Sequence, residues 1–230
     1  MFPGASEPGA ARDSGELRDH FAKNRILEGA ALVFAKKGVR ATTVEDILRA
    51  AGISRRTFYR FFSSKDDTLD ALHRMTTALL FEKHRAAFAI PESPLQKLVR
   101  MVDTSLTFAC QNAALIRVLH GEAQRPGSPL AARRAEMLEE MGSRFRERVR
   151  ATLDISIDPF LIEGLLVAQE GIVHKLIASE PIDDAALARA RAAILRIMAA
   201  TLSGQGAHLP PLPLATEPLG QSQQPLENDR

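Results

Sequence analysis

The sequence predicts an all-α protein of about nine helices, and three observations carry that expectation. Apolar residues recur at three- and four-residue steps through most of the interval 16–203. Breaks such as Ile90-Pro91-Glu92-Ser93-Pro94 and Arg125-Pro126-Gly127-Ser128 separate the segments. No stretch shows the sustained period-two alternation and β-branched enrichment of a strand.

Residues 1–15 are rich in Gly, Ala, Pro and Ser and are expected to form a disordered N-terminal arm. From Glu16 to Lys37 the pattern turns helical. Phe21, Ile26, Ala30, Val33 and Phe34 fall on one side, and Lys23, Arg25, Glu28 and Lys36 on the other. Gly38 stops this helix.

Residues 42–65, TTVEDILRAAGISRRTFYRFFSSK, then give two short helices around a tight turn. Thr43 with Asp46 reads as a capping box. Gly52 sits where a helix C-terminus wants positive φ. Ser54 caps a second helix that carries Arg55, Arg56 and Arg60. Helix, Gly-containing turn and basic helix is the plan of a helix-turn-helix DNA reader.

Ser64-x-x-Asp67 opens another helix over about 66–88. Further helices are expected at about 94–110, 112–123, 129–153, 159–178 and 183–203. The organisation is therefore an arm (1–15), a three-helix helix-turn-helix DNA-binding domain (16–65), and a helical ligand-binding and dimerisation domain (66–203). The Pro-rich tail 204–230 is expected to be disordered.

Charge follows the same division. Residues 1–65 hold 12 Lys/Arg against 7 Asp/Glu, whereas 66–203 hold 17 against 18. Basic charge is concentrated where a phosphate surface is expected. The single cysteine, Cys110, excludes an internal disulfide framework. No run reaches the roughly 20 apolar residues of a membrane span, and the first dozen residues lack signal-peptide features. The expectation is a cytoplasmic protein with no membrane partner.

The ordered set LVFAKKG, ATTVEDI, AAGISRRTFYRFF and SSKDD, within residues 26–65, resembles the DNA-binding domain of TetR-family transcriptional regulators. The resemblance covers about the first third of the chain, and Phe61 stands where many members carry histidine. It implies a homodimer on a palindromic double-stranded DNA operator, usually a repressor. It also implies a small-molecule effector that enters a C-terminal cavity, moves the fourth helix and changes the spacing of the recognition helices.

Arg55, Arg56 and Thr57 lie at the N-terminal end of the second helix, which faces base edges in this motif. An arginine there can grip guanine through O6 and N7; the alternative is contact with phosphate alone. Tyr59 matches the family's recognition-helix tyrosine, which reaches a phosphate or base. Thr43 can cap its helix and offer its hydroxyl to a phosphate. Lys65, beside the free amides of a helix start, is a natural phosphate site, and the family places such a contact there.

The segment 159–178 is apolar nearly all round, which a surface helix cannot be. Gly164, Ala168 and Gly171 would let a partner helix approach closely, and Ile194, Ile197 and Met198 recur along the last helix. Two helices per subunit would give a four-helix dimer interface; the alternative is burial inside one protomer. The resemblance puts Met75, Leu79, Phe88, Phe108, Leu115 and Met137 on cavity-lining helices, and Gln169 and His174 are candidate polar contacts to a partly apolar effector.

His73, His84, His120 and His174, with Glu122 and Glu170, match no metal signature, so no metal and no cofactor are expected. No nucleophile–base spacing or phosphate loop supports catalysis near His120 and Glu122. The leading reading is a ligand-released DNA-binding repressor. The competing one is a non-inducible or architectural DNA-binding dimer without a ligand.

Overall fold

The computed structural model describes residues 8–178 and 181–203. Over them the chain forms nine α-helices and no strand: α1 (Pro8–Ala41), α2 (Val44–Ala51), α3 (Arg55–Phe61), α4 (Lys65–Ala89), α5 (Pro94–Gln111), α6 (Ala113–Ala123), α7 (Pro129–Leu153), α8 (Pro159–Ala178) and α9 (Asp184–Ser203). The expected tail at 204–230, and residues 1–7 of the expected arm, lie outside the described residues.

Local chemistry sets the boundaries. Pro94, Pro129 and Pro159 open α5, α7 and α8, where the missing N–H costs nothing. Ser93 and Gln96 form a capping box at α5. The start of α1 is a correction. It begins at Pro8, not Glu16, so residues 8–15 of the expected arm are helical. Pro8 suits a first helical position, and Ala10, Ala11 and Arg12 favour helix. A composition that reads as a loose arm also serves to extend a helix. Further on, α1 leaves helical geometry at Gly38 (φ 76°, ψ 161°), where the sequence predicts its stop.

Two apolar cores follow one another along the molecule. The first joins Ile26, Ala30 and Phe34 of α1 to Ile47 and Leu48 of α2, Phe58 of α3, Phe62, and Leu69 and Leu72 of α4. Leu119 and Ala123 of α6 and Leu130 of α7 complete it. The α1–α3 unit thus shares its core with α4, α6 and α7. The second core gathers Leu98, Val102, Phe145, Ile162, Leu165, Ile194 and Met198 from α5, α7, α8 and α9.

Ile194 and Met198 are therefore protomer core, 1% and 3% exposed, and not an interface between copies. Their step along α9 faces α5 and α8 of the same chain, so periodicity marks them as buried without saying by what. Ile197 is half-buried and packs against the same core.

Candidate nucleic-acid interface and inner cavity

The α2–α3 pair is braced from behind by α1 and by its own caps. Thr43 Oγ1 accepts from the Asp46 N–H at 3.2 Å, while Asp46 Oδ2 accepts from the Thr43 N–H at 2.9 Å. Lys37 of α1 also pairs with Asp46. Hydrogen bonds from Lys37 first, then from Thr43, hold the Asp46 carboxyl far below the usual carboxylate range. Gly52 turns the chain at φ 62°, ψ 42°, with its N–H donating to Leu48 O, a conformation open chiefly to glycine. A Cβ on Gly29 would lie 2.7 Å from the Ala51 nitrogen, so glycine there permits the close crossing of α1 and α2. Ser54 Oγ caps α3 by accepting from the Thr57 N–H at 3.1 Å.

On this frame the predicted readers differ in availability. Arg56 is exposed and has no partner among the described residues. Arg55 pairs with Glu45, both side chains being more than half exposed (63% and 57%). An exposed pair of this kind contributes roughly 0–1 kcal/mol, less than the about 1–3 kcal/mol of a bidentate guanine contact, so DNA can displace Glu45. Thr57 is half-buried, and its hydroxyl lies 2.8 Å from Ser54 Oγ. Tyr59 is 49% exposed. Its ring meets Phe58 edge-on, 5.3 Å between centroids. The ring thus rests against Phe58 of the first core, and about half of the residue is open to solvent.

Lys65 is placed differently from the sequence expectation. Its ammonium donates to Val39 O at 2.9 Å, Arg40 O at 3.3 Å and Thr42 O at 2.9 Å. All three N–H directions go to carbonyls at the end of α1 and the turn after it, leaving none for a phosphate. Sequence shows the charge at a helix start but not the carbonyls that a kinked α1 presents to it. Lys65 is a clamp on the α1–α2 corner.

Between α4, α5, α6, α7 and α8 lies a cavity of about 160 Å³. Of the eight predicted lining residues it takes four: Phe108, Met137, Gln169 and His174. Met75 and Leu79 point outward, 44% and 48% exposed. The cavity stripe of α4 is His73, Thr76, Thr77 and Leu80, rotated by one residue from the predicted positions. Phe88 lies beneath the Arg148 guanidinium at 4.2 Å. Leu115 packs on the first core, while Ile116, one residue on, faces the cavity.

The cavity wall also holds a polar cluster of which Arg134 is unanticipated. Arg134 Nε donates to Glu170 Oε1 and Oε2 at 2.8 and 2.9 Å, tying α7 to α8. His120 Nδ1 of α6 lies 3.1 Å from Glu170 Oε1. Burial raises the Glu170 carboxyl, but the hydrogen bonds from His120 and Arg134 outweigh it and bring its pKa down to about 2. The signal available in sequence was a glutamate inside an apolar helix, which requires a buried partner. Nearby, His84 lies 2.8 Å from Ser105 Oγ, and burial, then Arg148, lowers its pKa to about 4. Among the described residues no His/Cys/Asp/Glu group is placed to hold a metal ion, and no helix is long and apolar enough to cross a membrane.

The outer face of α8 carries Phe160 (80% exposed), Leu161 and Val167. Gly164 and Gly171 share that face, and a Cβ on either would meet nothing within 4 Å. Ala168 is half-buried. On α9 the outward residues include Ala188, Ala192 and Ala199.

Comparison with known proteins gives three agreeing results. Residues 26–72 match the sequence model of the bacterial regulatory proteins, tetR family. The chain is 35% identical over 106 residues to the HTH-type transcriptional repressor KstR2 of Mycobacterium tuberculosis, covering 46% of this chain and 53% of that protein. To the repressor KstR2 of Rhodococcus jostii it is 30% identical over 135 residues, 59% of this chain and 65% of that one. The chain thus spans between about half and just under two thirds of the length of these curated relatives. In fold it resembles the fatty acid degradation regulator FadR from Bacillus halodurans, with a TM-score of 0.66 at 19% identity, over 75% of this chain and 97% of that one.

Proposed function

We propose, on the premise that the chain carries the DNA-binding domain of the tetR family of bacterial regulatory proteins, that it is a transcriptional repressor. It binds a palindromic operator as a homodimer and is released by a small molecule held in the inner cavity. The observation that carries this reading is α3. It is a short, capped helix with Arg55, Arg56 and Tyr59 exposed on a rigid three-helix unit. Arg56, and Arg55 once freed from Glu45, read base edges, and Tyr59 reaches the backbone; the predicted Thr43 contact is not retained, because its O–H already donates to Asp46 Oδ2 at 2.6 Å.

Dimerisation uses the outward face of α8, where Phe160, Leu161 and Val167 are exposed around Gly164 and Gly171. An apolar face of this kind marks an association surface. Release is supported by the position of α6. Leu119 and Ala123 pack in the first core and also line the cavity, so a ligand that shifts α6 shifts α1 and the helices it carries.

The test is retention of genomic fragments. The purified chain should hold a small set of fragments against competitor DNA, and Arg56→Ala should lose that selectivity while keeping weak general binding. Uniform retention of all fragments by the unaltered chain would refute the reading.

A further inference from the structure

A second pocket adjoins the inner cavity and shares Ser105, Met141, Leu166 and Gln169 with it. Its charge is different. In the inner cavity the guanidinium of Arg134 is matched by the Glu170 carboxylate. The second pocket is lined by Arg144 and Arg148 and, among the described residues, by no carboxylate.

The two cations are fixed by packing between helices. Arg144 and Arg148 stand four residues apart on α7, so they share one face. Phe81, His84 and Phe88 stand three and four residues apart on α4 and also share one. The Arg144 guanidinium lies over the Phe81 ring at 4.5 Å, and that of Arg148 over Phe88 at 4.2 Å. Such stacking engages the flat face of a guanidinium and leaves its N–H edge for an acceptor. Arg144 gives part of its edge to Glu140. Arg148 is half-buried, and its guanidinium has no acceptor among the described residues.

The unbalanced charge is felt within the cluster. Burial first, then Arg144, pulls the Arg148 pKa below the usual guanidinium range, and Glu147 opposes them least of the three. His84 lies 2.8 Å from Ser105 Oγ, and burial, then Arg148, keeps its imidazole neutral. Charges drawn out of water are ordinarily paired. A guanidinium edge accepts a carboxylate or a phosphate through two parallel hydrogen bonds. Phe81, Met101, Met141, Phe145 and Leu166 make the rest of the wall apolar, so the part of a ligand next to its head is apolar. A cationic head would meet two guanidiniums and no carboxylate, and a neutral one would leave the Arg148 charge unpaired.

We infer that this pocket binds the anionic head, a carboxylate or phosphate, of a partly apolar small molecule, with Arg148 as the anchor and Arg144 beside it. This rests on the reading of the C-terminal helices as an effector domain and adds the charge of the molecule they select.

Calorimetric titration of the full chain at neutral pH with octanoate, octyl phosphate, octanol and octylammonium tests it. A flexible chain presupposes no cavity shape. At least one of the two anions should bind roughly tenfold or more tighter than octanol, the scale of hydrogen bonds to a charged group. The tighter of the two tells carboxylate from phosphate. Octylammonium should bind no tighter than octanol. In Arg148→Met the advantage of the anion should vanish while octanol binds as before. Arg150→Met, at an exposed position on the same helix, should keep it. Anions that bind no tighter than octanol or octylammonium, or binding of none of the four, overturn the inference. So does an anion preference that survives Arg148→Met or is lost equally in Arg150→Met. Should Arg148→Met fail to fold, nitrogen NMR of the arginine-labelled natural chain decides. The anion must shift the Arg148 Nε resonance, and an unshifted resonance at saturation overturns the inference. None of these measurements contains DNA. Arg148-dependent anion binding that leaves operator binding unchanged would uphold the site and count against release alone.

Discussion

At the scale of single residues, charge at a helix start has two different uses here. Arg56 faces solvent without a partner among the described residues, whereas Lys65 is fully engaged by Val39, Arg40 and Thr42 carbonyls. The two variants should separate cleanly. Arg56→Ala should relax preference at particular base pairs by about 1–3 kcal/mol with unchanged urea stability; a uniform loss on all sequences would assign it to phosphate instead. Lys65→Met should lower unfolding stability by roughly 2 kcal/mol, the scale of lost hydrogen bonds to a charged group. It should weaken specific and general DNA binding together; undiminished stability would refute the clamp.

His84 gives a pH dependence. Its folded pKa of about 4 lies below the usual 6.5, so the neutral form is preferred in the native state and the unfolded chain binds the proton more readily. The stabilisation is complete above about 6.5 and is lost as pH falls toward about 4. Melting temperature should drop across that window, and less steeply in His84→Gln. Equal slopes would show that His84 is not the group responsible.

At the scale of helices, legibility depends on whether the signal is local. Capping at Thr43, Ser54, Ser64 and Ser93, and breaks at Gly52 and the prolines, involve neighbours in sequence, and the helix limits follow them closely. Facing is not local. One residue rotates a side chain by about 100°, which separates outward Met75 and Leu79 from inward Thr76 and Leu80, and Leu115 from Ile116. Helix α4 has apolar residues on both sides, so its cavity face could not be read from spacing. The apolar α8 shows the same limit: its pattern says that every side is covered but does not divide the sides between core and partner. The structure leaves Gly171 on the open side. If the proposed dimer forms through α8, Gly171→Glu should convert it to monomer in sedimentation velocity without lowering the monomer's helicity. A dimer that persists would move the interface elsewhere.

At the scale of the molecule, α4 and α7 contribute to both cores, and the cavity is lined by them together with α6 of the first core and α8 of the second. The resemblance implied that the fourth helix transmits the effector signal. Under the release proposed above, the packing would add α6 as a second route, because Leu119 and Ala123 belong both to the first core and to the cavity wall. What the account asserts above all is that two copies of α3 read one DNA site in register. Successive major grooves on one side of the duplex lie about 34–36 Å apart. The most direct measurement is selection of bound fragments from random DNA followed by footprinting of the winners. The account predicts an inverted repeat with half-sites centred about 10 base pairs, or a multiple of one helical turn, apart, protected on one face at two protomers per site. A single asymmetric half-site bound by one protomer, or no enriched sequence at all, would contradict it.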